Sequence, residues 1–170
     1  MKGGDGLKRR GRVWLFGDNI NTDLMYPGFV TTLPEAERLK YCMNANRPGW
    51  SEQVKQGDIL VAGRNFGCGS SRPAAKSLKS LGVSCVLADS INGLFLRNAI
   101  NFGLPALSLE GASKMFEEGD TAEVDFRTGQ VKNLRTLETE SVRPLPQALI
   151  DIVESGGLIP LLEREGYLKV

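Results

Sequence analysis

The sequence predicts a single α/β domain with a β-rich flank, and three observations predict it. Short apolar runs alternate with segments of helical period; a hairpin pattern centred on a glycine follows them; and no repeat, low-complexity tract or linker divides the 170 residues. With 41% hydrophobic and 24% charged residues, the chain can bury a sizeable core without disulfide or metal staples.

The elements follow in order. MKGGDGLKRR reads as a flexible basic tail over residues 1–10, with the domain itself over 11–170. The tail lacks the apolar stretch of a secretory signal, and no run approaches the ~18 apolar residues of a membrane span. RVWLF, from Arg12 to Phe16, is a strand closed by the turn-rich GDNINTD. PEAERLKYCMNA starts with proline and places apolar residues near helical spacing, which predicts a helix over Pro34 to Ala45, broken by RPGW. DILVAG is a short buried strand that runs straight into GRNFGCGSSRPAA. Beyond that stretch Ala74, Ala75, Leu78 and Leu81 share a helical face, and Gly82 ends the helix. VSCVLA is a second buried strand, and INGLFLRNAINFG a second helix closed by Gly103. PALSL continues as strand, while TAEVDF, RTGQ and VKNLRTLE predict an antiparallel hairpin around Gly129. LPQALIDIVESGG and LIPLLEREG finish as helices.

Composition excludes several functions. A net charge of +1, from 21 basic and 20 acidic residues, gives no long-range field for nucleic acid or a membrane surface, so neither is an expected partner. Cys42, Cys68 and Cys85 are odd in number and widely spaced, which fits reduced thiols in the cytoplasm better than a disulfide framework. Cys42 and Cys85 read as small buried hydrophobes. Histidine is absent, which removes the commonest general base and metal ligand.

The stretch Gly63 to Ala75 is where chemistry is expected. A loop that leaves a buried strand and enters a helix presents free backbone N–H groups and favours an anion. Gly67 and Gly69 allow tight turning and close approach, Ser70 and Ser71 lie near the helix start, and Arg72 adds a planar fork suited to carboxylate or phosphate. The spacing is neither a Walker loop nor a dinucleotide fingerprint. Two readings stand on the pattern alone: an anion site, or serines that merely cap a helix beside a surface arginine. The second leaves the chain a stand-alone anion-binding or regulatory module.

DNINTDLMYP, GRNFGCGSSR and GLFLRNAINFGLP, in that order, resemble the small subunits of 3-isopropylmalate dehydratase, the swivel domain of the aconitase superfamily. The resemblance spans roughly Gly11 to the final helix. It implies a β/β/α swivel domain that closes over a separate large subunit carrying a [4Fe–4S] cluster, no cofactor on this chain, and a small hydroxy acid as substrate. It further implies that Ser70 is the alkoxide base that takes the substrate proton, with Ser71 and Arg72 stabilising that alkoxide and holding a substrate carboxylate. Gly67, Cys68 and Gly69 fall within the substrate loop. Asp23 matches a position at the edge of the site, although an Asx-type turn role is equally consistent with NTD. Phe29, Val30, Thr31 and Thr32 match the loop that reads the substrate's side chain. Arg97 and Asn98 carry two readings, contact with the site or partner and a plain helix surface.

Two departures from the family pattern stand out. SSRPAA replaces the common Ser-Ser-Arg-Glu-His, so Pro73 and Ala74 occupy the glutamate and histidine positions. The side-chain loop lacks the arginine that members handling an extra carboxylate present, which implies an apolar or small substituent such as that of isopropylmalate or another alkylated malate.

Overall fold

A computed structural model describes residues 7–69 and 72–168, leaving out the side chains of residues 35 and 36. The elements are β1 (Lys8–Leu15), α1 (Thr22–Met25), a 3-10 turn (Gly28–Thr32), α2 (Glu35–Arg38), a second 3-10 turn (Leu39–Tyr41), α3 (Trp50–Gln53), β2 (Ile59–Ala62), α4 (Ala74–Ser80), β3 (Cys85–Ala88), α5 (Gly93–Asn101), β4 (Ala106–Ser108), α6 (Ala112–Met115), β5 (Thr121–Asp125), β6 (Gln130–Asn133), β7 (Thr139–Ser141), α7 (Gln147–Glu154) and α8 (Leu158–Arg164). The strands form one seven-stranded sheet in the order β4-β3-β2-β1-β5-β6-β7. β1 to β4 pair in parallel, and β5, β6 and β7 add an antiparallel flank through the β1–β5 pair.

Successive strand residues point to opposite faces, and both faces are buried. Trp14, Leu60, Ala62, Val86, Ala88 and Ala106 face one core, which α4 and α5 cover with Ala74, Leu78, Phe95 and Ala99. Val13, Ile59, Val61, Cys85, Leu87 and Leu107 face the other, covered by Ala112 and Met115 of α6, Ile150 and Val153 of α7, and the flank residues Val124 and Val131. This two-sided burial explains why DILVAG and VSCVLA read as unbroken apolar runs.

Three expectations are corrected. The first strand begins at Lys8, not Arg12: Lys8, Arg9 and Arg10 pair with Asp125, Val124 and Glu123, so the end of the supposed tail belongs to the sheet, while residues 1–6 lie outside the described residues. The helix expected over Pro34 to Ala45 is broken. α2 stops at Arg38, and a left-handed Met43 (φ 61°) turns the chain so that its N–H donates to Met25 O at 3.0 Å and its side chain enters the core. Tertiary packing overrides local helix propensity there. VKNLRTLE is not one strand either, because the chain turns after Asn133 through a left-handed Leu137 (φ 66°) and returns as β7.

Two buried carboxylates anchor the sheet. Asp58 accepts from Arg12 Nη2 (2.7 Å), Trp14 Nε1 (2.7 Å) and Lys55 N (2.9 Å). Burial pushes its pKa up, but these hydrogen bonds outweigh it and hold the carboxyl below its ordinary value. Asp120 accepts from Arg135, from Asn133 Nδ2 (2.7 Å) and from Glu117 N (2.9 Å), tying β6 to the turn before β5. The Arg135 hydrogen bond is the main reason its pKa falls to about 2.

A carboxylate with a depressed folded pKa adds stability that is present above the unfolded value and is lost as pH falls through the folded one. Asp120 therefore contributes fully above about pH 4 and loses that contribution towards a pH of about 2. Thermal melts of wild type and Asp120→Asn across this window check it: the variant is less stable at neutral pH and the gap closes in acid. A gap that stays constant with pH would remove Asp120 from this account.

Candidate functional site

In sheets of this kind, ligands gather beyond the carboxyl ends of the parallel strands. β1, β2 and β3 release three loops at that end, and the loop after β2 is stitched to both neighbours through backbone groups. Towards the β1 loop, Gly63 N donates to Gly17 O (3.1 Å), Asn19 N to Arg64 O, Gly67 N to Ile20 O and Thr22 N to Cys68 O, the last three at 2.8 Å. Towards the β3 loop, Phe66 N donates to Ser90 O (3.0 Å) and Asn92 N to Phe66 O (2.8 Å). Asp18 Oδ1 accepts from Arg64 N at 2.7 Å and Ser90 Oγ from Asn65 N at 2.8 Å, closing the same seam with side chains.

The glycines are required by this threading. Gly67 (φ 76°) and Gly69 (φ 99°) are left-handed; a Cβ on Gly67 would overlap the Phe95 ring, and one on Gly69 the amide of Asn21. Cys68, half-buried between them, contributes its carbonyl to Thr22 N.

Asp23 and Arg72, 49 residues apart in sequence, meet here: Arg72 Nε donates to Asp23 Oδ1 at 2.8 Å. The Asx-type turn falls to Asn21, whose Oδ1 caps α1 by accepting from Asp23 N at 2.7 Å. The Arg72 side chain is 33% exposed and that of Asp23 48%, so the pair contributes at most about 1 kcal/mol to stability. Its effect is orientation. With Nε held by Asp23, Nη1 and Nη2 lie 3.4 Å from where a Cβ of Gly28 would stand, so the guanidinium borders the start of the Gly28–Thr32 loop.

α4 is shorter than the sequence reading implied for an anion-binding helix. It spans seven residues, and Pro73, which holds its cap position, offers no side-chain donor or acceptor. The positive group that matters is therefore Arg72 more than the helix dipole. Ser70 and Ser71 lie outside the described residues.

The loop Gly28–Thr32 presents a less polar surface than its sequence suggests. Thr31 Oγ1 donates to Gly28 O (2.8 Å) and Thr32 Oγ1 to Phe29 O (2.7 Å), so both hydroxyl protons are engaged within the turn. Phe29 stands 55% exposed with its ring edge-on to Tyr41, centroids 5.2 Å apart. Val30 is fully buried in the core and packs rather than faces outward. Arg97 is exposed and Asn98 half-buried on α5. Sequence reading missed Asp18, Gly28, Ser90 and Tyr41 because their roles depend on which loops become neighbours, a non-local property; the only local signal was the turn-forming GDN.

Cys42 and Cys85 are buried, and burial pushes both thiols up to about 12. Among the described residues, no group of three or more His, Cys, Asp or Glu could hold a metal ion, and no helix is long and apolar enough to cross a membrane.

Residues 15–112 match the aconitase C-terminal domain family. The 3-isopropylmalate dehydratase small subunit 1 of Methanopyrus kandleri is 46% identical over 159 residues, covering 92% of this chain and 94% of that one. The isopropylmalate/citramalate isomerase small subunit of Methanocaldococcus jannaschii shows the same identity and the same coverage, and the methanogen homoaconitase small subunit of Methanothermobacter thermautotrophicus is 43% identical over 88% of each chain. A crystal structure of 3-isopropylmalate dehydratase from Methanocaldococcus jannaschii matches the fold with a TM-score of 0.83 at 32% identity, covering 94% of this chain and 96% of that one. The chain therefore belongs to the aconitase C-terminal domain family and, within it, to the small subunits of the 3-isopropylmalate dehydratase type, with their α/β swivel-domain fold.

Proposed function

We propose that the chain is the swivel subunit of a cytoplasmic hydro-lyase that interconverts 2- and 3-isopropylmalate, a step of leucine biosynthesis, or a closely related alkylmalate, together with a large subunit carrying a [4Fe–4S] cluster. The observation that carries this reading is the Arg72–Asp23 arrangement. A guanidinium oriented by a carboxylate stands next in sequence to the serine pair, where three loops converge, in a chain of the aconitase family.

In this reading Ser70 is the base. A serine hydroxyl is far too weak an acid to serve in water, so the alkoxide needs a nearby fixed positive charge and exclusion of solvent. Arg72, its Nε bonded to Asp23, supplies the charge and, through its Nη groups, a fork for a substrate carboxylate. Ser71 donates to the alkoxide or the carboxylate. Ser70 takes the proton from the carbon to be deprotonated, the hydroxyl leaves the adjacent carbon, and water adds back in the opposite sense to give the isomer. The chain's own thiols do not suit a cluster, because Cys42 and Cys85 lie in cores on opposite faces of the sheet. The cluster is accordingly assigned to the partner. Phe29 and the methyl groups of Thr31 and Thr32 form the wall that reads the substituent, and an apolar group fits it.

Ser70→Ala in the reconstituted complex lowers turnover by ~10²–10⁴ while the melting temperature holds; near-normal turnover would leave the serine without a catalytic part. Thr31→Arg, at an exposed position, shifts preference towards substrates with an additional carboxylate, read by competition between an alkylmalate and a homocitrate-like acid. An unchanged ratio would put selection elsewhere. The isolated chain neither binds iron stoichiometrically nor turns over substrate; metal analysis and an assay of the pure subunit check this, and iron at one cluster per chain would contradict it.

A further inference from the structure

The loop Gly28–Thr32 lies between two guanidinium groups. Arg72 borders its start at Gly28, and Arg38, at the end of α2, closes its far end: Nε donates to Leu33 O at 2.9 Å and Nη2 to Thr31 O at 3.3 Å. The reason lies in the next residue. In a 3-10 turn, the N–H three residues on bonds each carbonyl, as Leu33 N does to Val30 O at 3.1 Å. For Thr31 O that donor would come from residue 34, which is proline and has no N–H. The last carbonyls of a helical turn need partners from elsewhere, and Arg38 supplies them from one rigid fork.

The same side chain faces the neighbouring helix. Arg38 lines a cleft of about 120 Å³ between the 26–39 segment and α4, together with Tyr26, Leu39, Pro73 and Ser77. A half-buried side chain with two bonds to loop carbonyls ties the loop to α2. With Val30 sunk in the core as the other anchor, the outward placement of Phe29, Thr31 and Thr32 is determined from inside the molecule.

We propose that Arg38 is a positioning residue for substrate selection: its guanidinium replaces the amide that Pro34 lacks, and so sets the shape of the wall that meets the substrate's side chain without touching it. This rests on the reading of residues 29–32 as that wall. Loss of Arg38 then weakens recognition of the apolar substituent, which appears in KM and selectivity, and leaves the proton-transfer groups in place, so kcat holds.

Arg38→Gln is the test, with two readouts. Hydrogen exchange on the full-length chain follows the amides of Val30 and Leu33, which close the turn, against those of β2 and β3 as reference; the loop amides exchange about tenfold faster and the reference amides do not change. In the reconstituted complex, KM for the branched alkylmalate rises about tenfold with kcat within about twofold, and preference over the carboxylate-bearing competitor falls. Arg38→Lys keeps the charge without the fork and gives intermediate values, which also serves if the glutamine variant folds poorly. Unchanged exchange, or a fall in kcat with selectivity intact, overturns the proposal. Thr31→Arg run in parallel separates the two ideas. If it shifts selectivity while Arg38→Gln and Arg38→Lys do not, Arg38 has no such role and the wall stands. If no variant shifts selectivity, the wall reading fails and the proposal with it.

Discussion

The meeting of Arg72 with Asp23 descends from the way the loop after β2 threads between its two neighbours, with the backbone groups of three loops satisfying one another beyond the end of the sheet. Such groups cannot be left buried without partners, so a change in the path of one loop must be answered in the other two. This coupling carries Arg72 to Asp23 across 49 residues of sequence and fixes the bend at Cys68 and Gly69. The parallel strands supply the frame, and the seam between loops supplies the position.

Electrostatics at the site are local by construction. A chain of net charge +1 has no field to draw an anion from a distance, and the Arg72–Asp23 pair is too exposed to hold the fold together. The strongly perturbed carboxylate lies elsewhere, at Asp120, where it fastens the antiparallel flank. The carboxylate that fastens the flank and the exposed pair at the strand ends are thus different groups.

The sequence was legible where one local pattern decides the outcome. Two-sided burial makes continuous apolar runs, so β2 and β3 were found; a glycine at the end of an apolar helical face marks the stop, so Gly82 and Gly103 fell where expected, both with positive φ. It was not legible where distant segments decide. The helix expected from Pro34 onward fails because Met43 is drawn to Met25, and β1 extends back to Lys8 because β5 is there to pair with it. At the site, Arg72 and Asp23 were both singled out, but not their contact with each other. Val30, read from the sequence as one of the residues facing the substrate's side chain, is buried in the core, while Phe29 beside it in the same five-residue turn stays exposed. The serines at the centre of the family resemblance lie outside the described residues.

The two outer strands of the sheet have a consequence for how copies of the chain meet one another. β4 and β7 are three residues each, and every residue of β7 is exposed, with Glu140 at its centre and Pro144 soon after it. Short, charged or proline-flanked edges offer little template for another chain to add a strand. Exposed apolar side chains such as Phe29 and Leu24 offer another molecule a point of contact. The chain's sheet margins withhold the backbone hydrogen bonds that would turn such a transient contact into an aggregate.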